Sequence, residues 1–212
     1  MNCGQCQGIE REFDQREADS KLRAYRENGP ANTTRLLVEA VKAEAGEGRS
    51  ILDIGGGIGA IQLELLKAGA ASATSVDASS AYSQAAQAEA QRQQVAGRIR
   101  YVHGNFVELA AEIPPADIVT LDRVICCYHD MPALVALSAS RAKQVYGVVY
   151  PRDTWWVKLG MGLGNLIYRL RGSPFRTFVH ASQAVEAILR EQGLQRRYHR
   201  QNLIWQVAVY TR

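Results

Sequence analysis

Residues 53–59, Asp-Ile-Gly-Gly-Gly-Ile-Gly, constrain this chain more than any other stretch. They follow the short apolar run 50–54 and precede a segment patterned as a helix from 60 to 67. A short apolar run that stops at glycines reads as a buried parallel strand. The glycines let the backbone turn tightly and approach a ligand with no Cβ in the way. Asp77 ends the next apolar run, 20 residues beyond Gly57. A carboxylate at that point can accept both hydrogen bonds of a ribose diol.

The alternation continues. Strands are expected at 73–77, 99–103, 117–121 and 145–150, with helices at 80–95 and 133–143 between them. Such a pattern calls for a parallel sheet covered on both faces. Residues 10–45 read as helical, broken in two at Asn28-Gly29-Pro30. An apolar stretch, 154–170, with Gly160, Gly162 and Gly164 at every second position, looks like an insertion after the fifth strand. A helix over 182–192 and two strands, 195–199 and 203–210, close the chain as an antiparallel hairpin. One domain over residues 1–212 is expected: a lid (1–48), a core (49–151), a cap (152–180) and a final helix with hairpin (181–212).

Two cofactor classes use a glycine turn of this kind. Dinucleotides need a pyrophosphate cradle, usually spaced Gly-x-Gly-x-x-Gly. Here the spacing is Asp-x-Gly-x-Gly-x-Gly, with an acid two residues before the first glycine. That acid suits the cationic amino group of a methionine moiety and repels a pyrophosphate. The sign of the charge favours S-adenosylmethionine (SAM) over a nicotinamide dinucleotide.

On these residues the chain resembles the class I SAM-dependent methyltransferases, over roughly 50–150 and the closing hairpin. Asp53, Gly55, Gly57 and Gly59 match that family's first motif, and Gly56 lies within it. Asp77 matches the acid that holds the ribose, and Ala78 beside it joins the cofactor set. Asn105 and Phe106, after the third strand, match the place that meets adenine. The stretch 117–123 matches the fourth motif and puts Asp122 beside the methyl group. The resemblance implies an α/β, Rossmann-like, seven-stranded sheet in the order 3-2-1-4-5-7-6, with strand seven antiparallel and helices on both faces. It also implies SAM as cofactor, with S-adenosylhomocysteine (SAH) as product. More narrowly, Phe13 in the lid, the stretch 121–125 and Tyr150-Pro151 with its apolar insertion resemble magnesium-protoporphyrin O-methyltransferases. There a His-Tyr pair follows the fourth motif. This chain has Cys126-Cys127 at that place and Tyr128-His129 two residues later.

The expected function is methyl transfer to a small, hydrophobic or carboxylated acceptor, with O-methylation favoured. His129 is the candidate general base, since imidazole titrates near neutrality, and Tyr128 the candidate for orienting the acceptor. The alternatives are an RNA methyltransferase and a non-catalytic SAM or thiol-metal binding module. Ten Lys/Arg against three Asp/Glu give residues 152–212 a charge of +7, leaving −3 for the rest of a chain of net +4. A basic face of that kind suits an anionic acceptor, an RNA or a membrane surface. DNA is not expected as a partner.

The aromatics Trp155, Trp156, Tyr168, Phe175 and Phe178 are expected to cluster, to sandwich an acceptor, fill the core of a cap helix or, over 154–178, rest peripherally on a membrane. Cys3, Cys6, Cys126 and Cys127 could meet as four thiolates around a soft metal. Adjacent cysteines chelate one ion awkwardly, so the favoured reading is small buried hydrophobes and no metal. No 18-residue run is free of charge and no apolar signal region opens the chain, so a cytoplasmic location is expected. The oligomeric state stays open.

Overall fold

The computed structural model describes residues 4–212, apart from the side chains of residues 4 and 6. Its framework is one seven-stranded sheet, β1 (Ser50–Ile54), β2 (Ser72–Asp77), β3 (Ile99–His103), β4 (Ala116–Asp122), β5 (Ala142–Pro151), β6 (Gln195–Gln201) and β7 (Trp205–Thr211). The order is β3-β2-β1-β4-β5-β7-β6. The first five strands pair in parallel, while β7 runs antiparallel to both β5 and β6. The expected strand order and the antiparallel seventh strand are both present.

Helices cover both faces. On one side lie α2 (Gln15–Asn28), α3 (Asn32–Ala45), α4 (Ala60–Lys67) and α5 (Ser80–Arg92). Leu22, Leu37, Val41, Leu63 and Ala90 join Ile51 and Ile118 of the sheet in one buried cluster. On the other side α6 (Phe106–Leu109), α7 (Met131–Arg141) and α9 (Ser182–Glu191) enclose Leu52, Val119, Leu134, Val185 and Leu189. Burying each of these leucine, isoleucine and valine side chains contributes about 1.5–3 kcal/mol before conformational entropy is subtracted. The central strands are buried on both faces, which explains why their sequences are continuous apolar runs.

The N-terminal region holds three helices where two were expected. α1 (Gly4–Glu12) is separate from α2, because Asp14 caps α2 by accepting the Glu17 amide at 3.0 Å. An N-cap takes extended backbone, so the chain must turn there. Charged side chains tie α2 to its neighbours. Tyr25 Oη donates to Glu64 of α4 at 2.6 Å, and Arg26 donates to the buried Glu89 of α5 at 2.8 Å. The insertion forms α8 (Trp155–Leu170), of which Val157 is the one residue buried. Of the five aromatics read as filling the core of a cap helix, Phe175 is buried, Tyr168 and Phe178 are half-buried, and Trp155 and Trp156 are exposed, because the helix faces outward. Among the described residues, no helix is long and apolar enough to cross a membrane.

Candidate active site

The carboxyl ends of β1, β2 and β4 meet on one edge of the sheet. Parallel strands end together there, and the turns after them are free to meet a ligand. Gly55 opens the turn after β1 at φ +63, in the left-handed region. A Cβ at this position would lie 2.4 Å from Val124 Cγ2, so the turn after β4 presses directly on the glycine loop. A Cβ on Gly56 would stand 2.6 Å from Ser75 Oγ and 3.1 Å from Asp53 Oδ2. The loop is thus a cradle that only bare backbone can line.

Two carboxylates hold this loop. Asp77 accepts the Gly57 amide at 2.8 Å and the Ser79 amide at 2.7 Å. Burial raises its pKa, and those two amides oppose the rise. Asp53 is buried and accepts Thr120 Oγ1 at 2.7 Å through Oδ1, while Oδ2 has no hydrogen-bond partner. Burial pushes its pKa up to about 7, the Thr120 bond opposes this, and the charges of Asp122 and Asp77 add to it. Asp53 therefore feels the two other strand-end carboxylates, and a cation near it relieves both that repulsion and its desolvation. An orphaned acidic oxygen facing a glycine cradle fits the ammonium end of SAM, and Asp77 at the next strand end fits its ribose.

Asn105 caps α6, accepting the Val107 amide at 3.1 Å. Its Nδ2 donates to Glu108 at 3.0 Å and to Tyr128 Oη at 3.2 Å. The oxygen keeps a second lone pair for an adenine amino group. Phe106 is buried beside it and Ala78 is half-buried after β2.

Asp122, at the end of β4, accepts Thr34 Oγ1 at 2.5 Å and Arg123 Nε at 3.0 Å. Arg123 takes φ +60, a left-handed conformation costly for a side chain of its size, and its amide donates to Val149 O at 2.8 Å. Its guanidinium lies 5.9 Å from the centre of the Trp205 ring. Burial works against its charge, but Asp122 outweighs this and raises the pKa. Sequence reasoning passed over Arg123 and Thr34. Only the three-dimensional pairing of α3 with the end of β4 singles them out.

After Arg123 the chain makes a short 3-10 turn, Ile125–Cys127. Cys126 is buried and Cys127 half-buried, and their sulfurs lie 3.8 Å apart. Their mutual hydrogen bond, then burial, pushes the Cys126 thiol up. Cys3 and the Cys6 side chain lie outside the described residues. Tyr128 faces the site through the Asn105 contact, with its ring 5.0 Å from that of His129. His129 itself is exposed. Asp130 caps α7 by accepting the Ala133 amide at 3.1 Å. Another histidine, His180, reaches inward instead: Nε2 lies 3.1 Å from both Ile125 O and Tyr128 O, and burial lowers its pKa.

α1 closes over this edge. Gln5 donates to Cys127 O and Arg176 O, both at 2.8 Å, joining the turn after β4 to the segment after α8. Glu10 accepts the Ser80 amide at 3.0 Å, and Ser79 Oγ donates to Phe13 O at 2.7 Å. The expected aromatic cluster divides in three: α8 turns Tyr168 and the two tryptophans to different sides, and Phe178, beyond the helix, stacks on His180 at 5.8 Å. Tyr168 lies edge-on to Phe175 (5.2 Å), Phe175 to Phe13 (5.5 Å), and Phe13 meets Tyr82 (5.5 Å). This row runs from the cap to the glycine loop, since Tyr82 borders Gly57. Trp155 and Trp156 pair separately at 5.8 Å on the outer side.

Comparison with known proteins agrees with this geometry. Residues 51–144 match the family described as methyltransferase domain. No curated protein matches the chain. Among solved structures, magnesium protoporphyrin IX methyltransferase from Synechocystis PCC 6803 with bound SAH is similar at TM-score 0.76 and 20% identity, over 98% of this chain and 99% of that one. Its SAM-bound form gives 0.73 and 18%, over 98% and 97%. An O-methyltransferase family protein from Burkholderia thailandensis gives 0.69 and 17%, over 96% and 62%. Sheet order, glycine cradle and the match over residues 51–144 converge: the chain has the fold of these methyltransferases.

Proposed function

We propose that the chain O-methylates a small, hydrophobic acceptor bearing a carboxylate. One observation carries this reading: Arg123, a cation held in a left-handed conformation beside Asp122, adjoins Val124, which presses on the glycine loop where the aromatic row ends at Tyr82. A guanidinium there attracts and orients an anion, and the row of Tyr82, Phe13, Phe175 and Tyr168 offers flat apolar faces to the body of the acceptor. The neighbours named above, a porphyrin methyltransferase and an O-methyltransferase family protein, are in keeping with such an acceptor.

SAM supplies the activated methyl group and leaves as SAH. The glycine loop and Asp53 hold the methionyl end, Asp77 the ribose, and Ala78, Asn105 and Phe106 the adenine. Alignment and exclusion of water are the main tasks left to the protein, and α1 with its Gln5 and Glu10 contacts serves the second. Asp122 acts through Arg123 and Thr34 to fix the acceptor side, and Tyr128 borders it. An ionised carboxylate is already a nucleophile and needs no base. A hydroxyl acceptor must lose its proton, and His129 at the rim is the residue proposed to take it.

Labelled methyl transfer from SAM to a panel of aryl carboxylates, porphyrin propionates, phenols and RNA tests this. Turnover on the carboxylates, lost with Arg123→Gln and little changed with His129→Ala, is expected. Turnover confined to phenols, or to RNA, would contradict the proposal.

A further inference from the structure

Among the described residues, nine large apolar side chains stand in solvent, and they lie on α8 and on the turn between β6 and β7. Along α8 each residue advances about 100° around the axis, so Trp155, Leu159, Leu163, Leu166 and Leu170 fall within about 80° of one another. Their exposures run from 51% to 79%. The turn joins the same face: Trp156 Nε1 donates to Leu203 O at 3.2 Å, and Leu203 is 70% exposed. A contiguous patch of this kind on a folded chain marks an interaction surface.

Charge selects the partner. From Thr154 to Val185 the chain has no Asp or Glu, but carries Lys158, Arg169, Arg171 and Arg176. Lys158 and Arg169 lie along one edge of the apolar stripe on the helix. Among the described residues, no carboxylate pairs with Lys158, Arg169 or Arg171. The nearest acids along the chain are engaged elsewhere: Asp153 accepts the Ser182 amide and hydroxyl, and Glu186 pairs with Arg190 and Arg196. A second copy of this face would bring like charges together. A helix with tryptophan and leucine on one side and unpaired cations beside it has the form of one that lies in a membrane interface.

We propose that α8 and the β6–β7 turn dock the protein on an anionic phospholipid bilayer, lying on its surface without crossing it. The opposite side of α8 carries Tyr168, whose ring meets Phe175 at the outer end of the aromatic row. Docking therefore brings the bilayer surface next to the cap of the candidate active site, where a lipid-dissolved acceptor would enter. The docking itself does not depend on which acceptor is methylated.

Flotation of the full chain with vesicles tests it, one set of phosphatidylcholine alone and one with added phosphatidylglycerol. The protein is expected to float with the anionic vesicles, more weakly with the neutral ones, and to shift its tryptophan emission to the blue. Arg169→Gln should weaken binding by about fivefold, the contribution of one cation near a charged surface. Leu159→Gln, Leu163→Gln and Leu166→Gln together should abolish flotation while leaving the circular dichroism and SAM affinity unchanged, since these side chains are exposed. Three results would overturn the proposal: a folded wild-type chain that ignores anionic vesicles, a triple variant that floats as well as wild type, or a dimer dispersed by the same three changes.

Discussion

At the scale of single residues, the site depends on a few groups held where they are costly. Asp53 is the clearest case. Its folded pKa of about 7 lies far above the ordinary carboxylate value. The group therefore favours folding fully below the unfolded pKa, and that contribution is lost as pH rises through 7. A bound cation reverses the preference, because it stabilises the ionised form. SAM affinity should accordingly rise by up to about tenfold per pH unit below 7 and level off above it, and Asp53→Asn should flatten the profile. Calorimetry across that range checks both. Gly55 gives a steric prediction. Gly55→Ala places a methyl 2.4 Å from Val124 Cγ2 at φ +63, and should cost about 2–3 kcal/mol of stability. Adding Val124→Ala should recover only the steric part, since the backbone strain at residue 55 persists. Thermal unfolding of the single and double variants measures the split.

At the scale of elements, sequence pattern and structure agree most closely where one period is uninterrupted. The strand expected at 50–54 and the helix at 60–67 match β1 and α4, because glycines end one and open the other. The helix expected to 95 stops at Arg92, where Gln94 takes positive φ and turns the chain into β3. The glycine loop and Asp77 were legible because their chemistry is local and their spacing fixed. Arg123, Thr34, Gln5 and Glu10 were not, since each matters only through a partner 70 or more residues away or a backbone torsion that sequence does not display. The aromatic cluster was misjudged for a geometric reason: composition shows how many rings there are, but helix phase decides which way they point. One element contact gives a stability test. Glu89 is buried between Arg26 and Arg92, whose hydrogen bonds, with Arg92 foremost, hold its pKa down to about 2. Because the folded value is depressed, this stabilisation is present above the unfolded pKa and is lost as pH falls toward 2. Glu89→Gln should lower stability by about 2 kcal/mol near neutral pH, with both arginines half in solvent, and should shrink that difference under acid. Denaturant unfolding at neutral and acid pH reads both effects.

For the molecule as a whole, the sheet presents three carboxylates at one edge, and α1 with the segment after α8 covers them. The cover is made of polar clamps at Gln5 and Glu10 and of the aromatic row through Phe13. Cationic charge gathers in the last third of the chain and anionic charge in the rest. In the proposed function the glycine cradle and Asp77 hold the adenosyl and methionyl parts of SAM. Isothermal titration of the full chain with SAH tests it most directly. Saturable one-to-one binding, weakened at least about tenfold by Asp77→Ala in a protein that remains folded, is the predicted result. A folded wild-type chain that binds neither SAH nor SAM, or an Asp77→Ala variant that binds as tightly as wild type, would contradict it.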